Sequence, residues 1–572
     1  GVHFLMQVDV PAALDRRAET LAGHPRSLPH QRGIRHGRVA RLIVEAWEQG
    51  TGGEVLQWAL IFEPLSRSQD AAVKMWVKQS VLTQFQIQDE AERLALASAR
   101  GEVGGRALRY VEQRVEDQAT VRNLIRDADA RVNDSTVRAA LVDDGRLPSS
   151  WTLQLAALGQ LLSAGAEDAT VPRMREARDR LHKLESHDMA RDTAQTAVLR
   201  RASKACQLMA WLATDPTPYD VPGQQPFAEA EHLASWYAEE GGFVDWARRG
   251  ARGTASDDFG RGVQAVVEKA DAHRDELDRR FTRGLKAWIE SGRPSGQVVP
   301  IDQAVKRVAV PFLQERASRR LLVLLLDGMA WAQAVEIMVD LSGGGHDAWG
   351  PLAWHTSKAG RIGRGPYPAV SRSAFFAGQV APAGKPAPKT GDDPKRWRDN
   401  KDLAKLLGDG DMPQLLLRGE SHTGDGSANS EALALVASTD RRIVAIVINA
   451  IDASLKADSQ QHQRWTAESI RSLRDLLDRA RDAGRAVLLA SDHGHVPSDR
   501  LAFKAGSVPQ GGARYRPWEA PNDPVQPYEI AVAGAGVYAP KGAHGVVMLA
   551  DELSRHGSGP TAGEHGGATP AE

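Results

Sequence analysis

A single cysteine in 572 residues, Cys206, excludes an intramolecular disulfide framework and suits a reducing compartment, so the chain reads as cytoplasmic. No apolar run approaches the ~20 residues needed to span a bilayer. The densest, Leu321–Leu326, has only strand length, so no membrane partner is expected. A secretory leader is missing too, since the opening GVHFLMQVDV has no basic stretch followed by an apolar one. The opening also lacks an initiator Met, which reads as a piece trimmed from a longer product. Net charge is almost absent: 72 Lys+Arg stand against 73 Asp+Glu. Bulk charge therefore gives no reason to expect nucleic acid or membrane, although it says nothing of individual faces. No G-x-x-x-x-G-K-[ST] loop occurs, and the Gly360–Gly365 run has the wrong glycine spacing, which argues against an ATP-driven component. The absence of H-E-x-x-H excludes a zincin.

What is present is ordinary for a soluble globular chain, with 42% hydrophobic and 25% charged residues and length for two or three domains. From about residue 35 to 290 the pattern is helical. Val73, Val77, Val81, Leu82 and Phe85 recur at three- and four-residue intervals, as do Leu153, Leu155, Leu158, Leu161 and Leu162. Leu181, Leu184, Val198 and Leu199 follow among many charges, which read as solvated helix faces. The Pro-rich Thr214–Phe227 segment interrupts the series as a linker. These breaks predict an α-helical region over 1–215, a helical linker module over 216–300, and a third domain over 301–572.

That third domain reads as α/β. Beyond Ser291–Gln297, short apolar runs alternate with amphipathic helices, the pattern of a parallel sheet. Leu321–Leu326 ends in Asp327-Gly328, Ile443–Ile448 in Asn449-Ala450-Ile451-Asp452, and Val487–Ala490 in Ser491-Asp492-His493-Gly494-His495. A helix with Ile470, Leu473, Leu476, Leu477 and Ala480 on one side separates the last two runs, closed by Gly484. Ala381–Asp393 and Gln510–Asn522 read as surface loops. Ligands of open α/β sheets bind outside the carboxyl ends of the strands. Unpaired carboxylates clustered there would repel each other, so a cation gives the three carboxylates and the histidine their physical reason, and an Asp/His mixture suits Zn, with Mn or Mg as harder alternatives.

The segments LLLDGM, YPAVSRSAFFAG, VINAIDASLK, SDHGH and EHGGATPAE fall in the order found in the PglZ family, an alkaline phosphatase superfamily domain of BREX-type (Pgl) phage defence. The resemblance covers roughly 300–572 and is nearest to the type-2 BREX or Pgl members. It implies an alkaline-phosphatase-like sheet with flanking helices and two divalent-metal sites. Asp327, Asp492 and His493 would hold one metal; Asp452 and His565 would hold the other. Ser371, in Pro368-Ala369-Val370-Ser371, would be the metal-bound nucleophile, with His495 supporting the ligands. The implied activity is a metal-dependent phosphatase or phosphodiesterase. The implied partners are other BREX or Pgl proteins, among them a PglX-type methyltransferase, with DNA as a further candidate. Three departures bear on this. Lys456 stands where many superfamily members have His. The segment between nucleophile and following helix is short, so Ser371 can instead mark the helix start, with Ser373 as a substitute nucleophile. The chain ends at Glu572, where the family continues. The first two motivate the alternative of a catalytically weakened scaffold subunit.

Overall fold

The computed structural model describes residues 3–8, 52–65, 67–85, 118–214, 226–293, 298–343, 348–351, 361–363, 368–408, 410–455, 464–497, 501–503, 512–519, 521–534, 536–556, 563–564 and 566–570. The chain divides into two compact units. One comprises Gly1–Glu19, Pro216–Arg249 and Asp271–Glu572; the other comprises Thr20–Asp215 and Gly250–Ala270.

The first unit is built on a six-stranded sheet of β1 (His3–Val8), β2 (Leu321–Leu326), β3 (Trp349–Pro351), β4 (Gln414–Leu416), β5 (Ile443–Ile448) and β6 (Ala486–Ala490). Their order is β3-β1-β6-β2-β5-β4. The four strands β6, β2, β5 and β4 run parallel, while β1 pairs antiparallel with both β6 and β3. In register, Leu326 lies beside Ile448 and Leu325 beside Ala490, so the three carboxylate-bearing strand ends are neighbours. Every residue of β2 is buried, and alternate side chains enter opposite faces. Leu322, Leu324 and Leu326 join a core with Val335, Ile337, Leu473, Leu476 and Leu477. Leu321, Val323 and Leu325 join another with Val308, Phe375, Phe376 and Trp397. A strand covered on both faces reads as a continuous apolar run, which is why Leu321–Leu326 shows no alternation.

The connecting helix Arg471–Asp482 buries Leu473, Leu476, Leu477 and Ala480, and Gly484 follows it at φ +63°. A second, three-stranded antiparallel sheet is made by Tyr515–Trp518, Gly545–Leu549 and Glu529–Val532. The first of these lies in Gln510–Asn522, so the loop expected there is corrected in part. Its Pro517 and half-buried positions hid an edge strand. Among the described residues, no helix is long and apolar enough to cross a membrane.

Between Gly52 and Glu290 the described elements are helices. Within the second unit, Trp58, Ile61, Phe62, Val73, Val77, Leu141 and Leu147 form one core. Ser150 and His187 lie 2.9 Å apart, but with the polarity of a structural pair. The Met189 N–H donates to His187 Nδ1, which leaves Nε2 to carry the proton toward Ser150.

The dense charges of this half are not all solvated. On α1 (Gly242–Ala251) and α2 (Asp258–Glu290), Asp245, Arg248, Asp271, Arg274 and Asp278 are buried together with Glu552. Arg248 reaches Asp245, Asp271 and Glu552 at 2.6, 2.7 and 3.0 Å. Arg274 reaches Asp245 and Asp278 at 3.0 and 2.8 Å. The expectation of solvated faces fails here because opposite charges on facing helices neutralise one another, a pairing that one helix's periodicity does not reveal.

Candidate metal centre

Three parallel strands end side by side, and each end turns a short polar segment out of the sheet. After β2, Gly328 takes φ +77°, a left-handed conformation that L side chains rarely adopt. A Cβ at Gly328 would stand 3.4 Å from Asp452 Cβ, so the chain after β5 passes close by. The Asp452 N–H donates to the Asp327 carbonyl at 3.2 Å, and the Asp327 N–H to Ile448 at 2.9 Å. Gly328→Ala is therefore expected to lower stability by about 1–2 kcal/mol, read as a shift in urea midpoint. An unchanged midpoint would show the turn to be slack.

The structure brings together Asp327, Asp492 and His493, each offering a ligand atom within 4.8 Å of the others, all buried. His493 Nε2 lies 3.3 Å from Asp327 Oδ1 and 3.8 Å from Asp492 Oδ1. His493 Nδ1 donates to the Gly494 carbonyl at 3.0 Å, which turns Nε2 toward the carboxylates. Asp492 Oδ1 accepts from the N–H groups of His493 and Gly328, at 3.1 and 3.3 Å. His495 Nδ1 donates to the Gly328 carbonyl at 2.9 Å, so this imidazole ties the third strand's segment to the first's.

The electrostatics are those of two buried carboxylates crowded against one imidazole, with Arg372 paired to Asp327. Burial first, and then the charge of Asp327, push Asp492 up to about 7. Burial alone would lower His493, but Asp492 and Asp327 raise it to about 9. Burial would raise Asp327, yet the His493 hydrogen bond and charge, with Arg372, hold it below its ordinary value. The cluster thus retains protons that ordinary carboxylate and imidazole groups would release, and a divalent cation can take their place. The donor set of two carboxylates and one imidazole fits such an ion. Asn449 Oδ1, at the end of β5, is buried with no hydrogen-bond partner among the described residues and is a further oxygen donor at this edge.

The remaining sequence-predicted residues lie as follows. Asp452 is half-buried in the first turn of Ala450–Leu455 and meets Asp327 through the main chain; its carboxylate is not part of the three-residue group. Ser371 is buried as the fourth residue of the helix Pro368–Ala377. Ser373 donates to Asp393 Oδ1 at 2.8 Å. His565 and Lys456 lie outside the described residues; the strand Gly563–Glu564 pairs with Val496–Pro497, so Glu564 faces Val496.

Sequence reasoning missed Arg372, Asp393 and Arg249. Arg372 bridges Asp327 Oδ2 and Asp393 Oδ2, each at 3.0 Å, and is buried. It therefore occupies one Asp327 oxygen and leaves the other facing His493. An arginine inside the apolar run AVSRSAFFA was the available signal, since a buried guanidinium demands acidic partners.

Residues 423–508 match the family model described as the BREX system PglZ alkaline phosphatase-like domain. The matched stretch carries β5, Asp452, β6 and the Asp492–His495 segment. An alkaline phosphatase-like fold generally binds divalent metals, and the Asp/His cluster is the candidate place for one here. No curated protein matches the chain.

Proposed function

We propose that the α/β unit is a metal-dependent phosphoric-ester hydrolase of a BREX-type defence system. The observation that carries this is the convergence of Asp327, Asp492 and His493 at adjacent strand ends, the last two of them inside the stretch that matches the PglZ model. Asp327, Asp492 and His493 would hold one divalent cation, with Zn the first choice and Mn or Mg alternatives. Asp452 and His565 would belong to a second. When bound, such ions stabilise charge on phosphoryl oxygens and lower the pKa of a coordinated hydroxyl or water.

The chain's own residues have distinct tasks. Gly494 fixes the His493 tautomer, so that Nε2 presents its lone pair. Arg372 holds Asp327 in one orientation. Ser371 is the proposed nucleophile: its oxygen would bond to phosphorus as the bond from phosphorus to the leaving alcohol's oxygen breaks, and the serine proton would pass through solvent to that alcohol. Ser373, already committed to Asp393, ties the helix Pro368–Ala377 to the start of the helix Asp393–Arg398.

Elemental analysis after equilibration with Zn and Mn, beside phosphomonoester and diester assays, tests the reading. Ser371→Ala is expected to abolish turnover and leave metal content unchanged, with Ser373→Ala as the control for a shifted register. Protein that takes up neither metal would sink the proposal.

A second reading, a scaffold subunit with weakened catalysis, draws on one observation. Ser371 lies within a helix rather than before it, followed by an arginine and a serine that are both bound to carboxylates. On this reading the metal binds, no ester is turned over, and the chain recovers other defence proteins, including a PglX-type methyltransferase, in pull-downs.

A further inference from the structure

We infer that α1 is a brace across the two strand-end segments that carry Asp327 and Asp492-His493, with Arg249 as a positioning residue for the second. The inference rests on the metal-site reading above and deepens it.

The helix touches both segments, one near each of its ends. At its start, Gly242 lies against Trp331, where an added Cβ would fall 1.8 Å from the indole Cδ1. Only glycine permits that approach. The indole in turn donates from Nε1 to the Ala238 carbonyl at 3.2 Å, just before α1. Trp331 opens the helix Trp331–Ser342 that follows the Asp327-Gly328 turn. Toward its end, Arg249 Nη2 donates to the His495 carbonyl at 3.2 Å. His495 closes the circuit, since its imidazole donates to the Gly328 carbonyl.

The brace is itself anchored. Asp245 and Arg248 of α1 are held by Arg274, Asp271 and Glu552, so the helix cannot slide without breaking buried ion pairs. Arg249 differs from these neighbours. Among the described residues its single hydrogen bond goes to a main-chain carbonyl, and no carboxylate pairs with it. Burial depresses its pKa accordingly. A cation kept largely buried without an acidic partner is costly, and a neutral side chain would pack there at lower cost. What the guanidinium supplies is a fixed His495 carbonyl, and through it a fixed spacing between the Gly328 and His493 segments. Outer partners of this kind set the orientation of metal ligands, and their removal typically weakens metal binding about 10–100-fold.

Arg249→Gln and Arg249→Lys in the full chain separate this role from simple packing. Zn affinity is measured by chelator competition, and amide hydrogen exchange across residues 493–496 is followed in metal-free protein. The Gln variant is expected to bind Zn about 10-fold more weakly, with faster exchange in that segment. The Lys variant, which can still donate to the carbonyl, should recover most of both. The thermal midpoint of the metal-free Gln variant should hold or rise, because no ion pair is lost and the cost of burying the cation is removed. Zn affinity within about two-fold of wild type, or unaltered exchange, would overturn the inference while leaving the metal reading intact. Wild-type chain that binds no Zn while the Gln variant still speeds exchange would remove the metal reading and keep the brace.

Discussion

Replacing Arg274 by alanine is expected to cost about 3–5 kcal/mol, enough to leave the first unit barely folded, since whole domains are held by about 5–15 kcal/mol. Arg274 is fully buried, pairs with Asp245 and Asp278, and lies over the rings of Trp236 and Tyr237 at 5.7 and 5.4 Å. Its removal forces ionised Asp245 onto Arg248 alone and takes from Asp278 the hydrogen bond it accepts from the guanidinium. Urea denaturation followed by tryptophan fluorescence measures the loss. A cost below about 1 kcal/mol would mean that water replaces the guanidinium, and the buried-network account would be wrong.

Asp278→Asn should have the opposite sign. Burial, together with the charges of Glu552 and Asp245, pushes Asp278 up to about 8 even beside Arg274. Its Oδ2 has no hydrogen-bond partner among the described residues. The unfolded carboxyl releases its proton near ~4, so the native state loses stability as pH rises from there to about 8, the value in the folded chain. Asparagine does not titrate. The variant should match wild type near pH ~4 and become increasingly the more stable of the two as pH rises toward about 8. Parallel stability curves across that window would show that Asp278 is ionised in the native protein.

Asp327→Asn is expected to weaken divalent-metal binding by more than about 100-fold, beyond the usual effect of outer partners, because a coordinating charge is lost from a site of few ligands. In metal-free protein the same change should lower the Asp492 pKa from about 7, since Asp327 is the second cause of its rise. Burial is the larger cause, so the value should remain above the ordinary carboxylate range. Carbon NMR of the Asp492 carboxyl reads this directly. An unmoved Asp492 would mean that the two groups do not sense each other, and that a shared cation has no physical basis.

Much of this architecture is legible in the chain because burial on both faces leaves a simple mark. Leu321–Leu326 and Ile443–Ile448 need no partner to be recognised, and the acids that follow them had to lie at strand ends. The short strand Gln414–Leu416 and the opening strand His3–Val8 carry no such run and were invisible. At the site, Asp327, Asp492 and His493 could be named from position, whereas the apolar run around Arg372 marked it only as buried and nothing marked Arg249, and the partners of neither could be read. Their partners lie 45 and 246 residues away, and an arginine on a helix looks the same whether it faces water or a buried carboxylate. Local periodicity reports which face is covered, but not by what.

The strand β1 has a consequence for how such a chain is made. His3 lies beside Ala490, so β1 is synthesised long before the strand it pairs with exists. The entire segment Thr20–Asp215 is threaded between them in sequence as an insertion. Until β1 docks, β6 presents an open row of amide and carbonyl groups, a template for pairing with any other nascent strand. Closing so long a loop costs little more than closing a moderate one, because the entropy grows only with the logarithm of length. The delay is a matter of synthesis time rather than of stability, and the late interval before that edge is covered is where chaperone engagement and misassembly would compete.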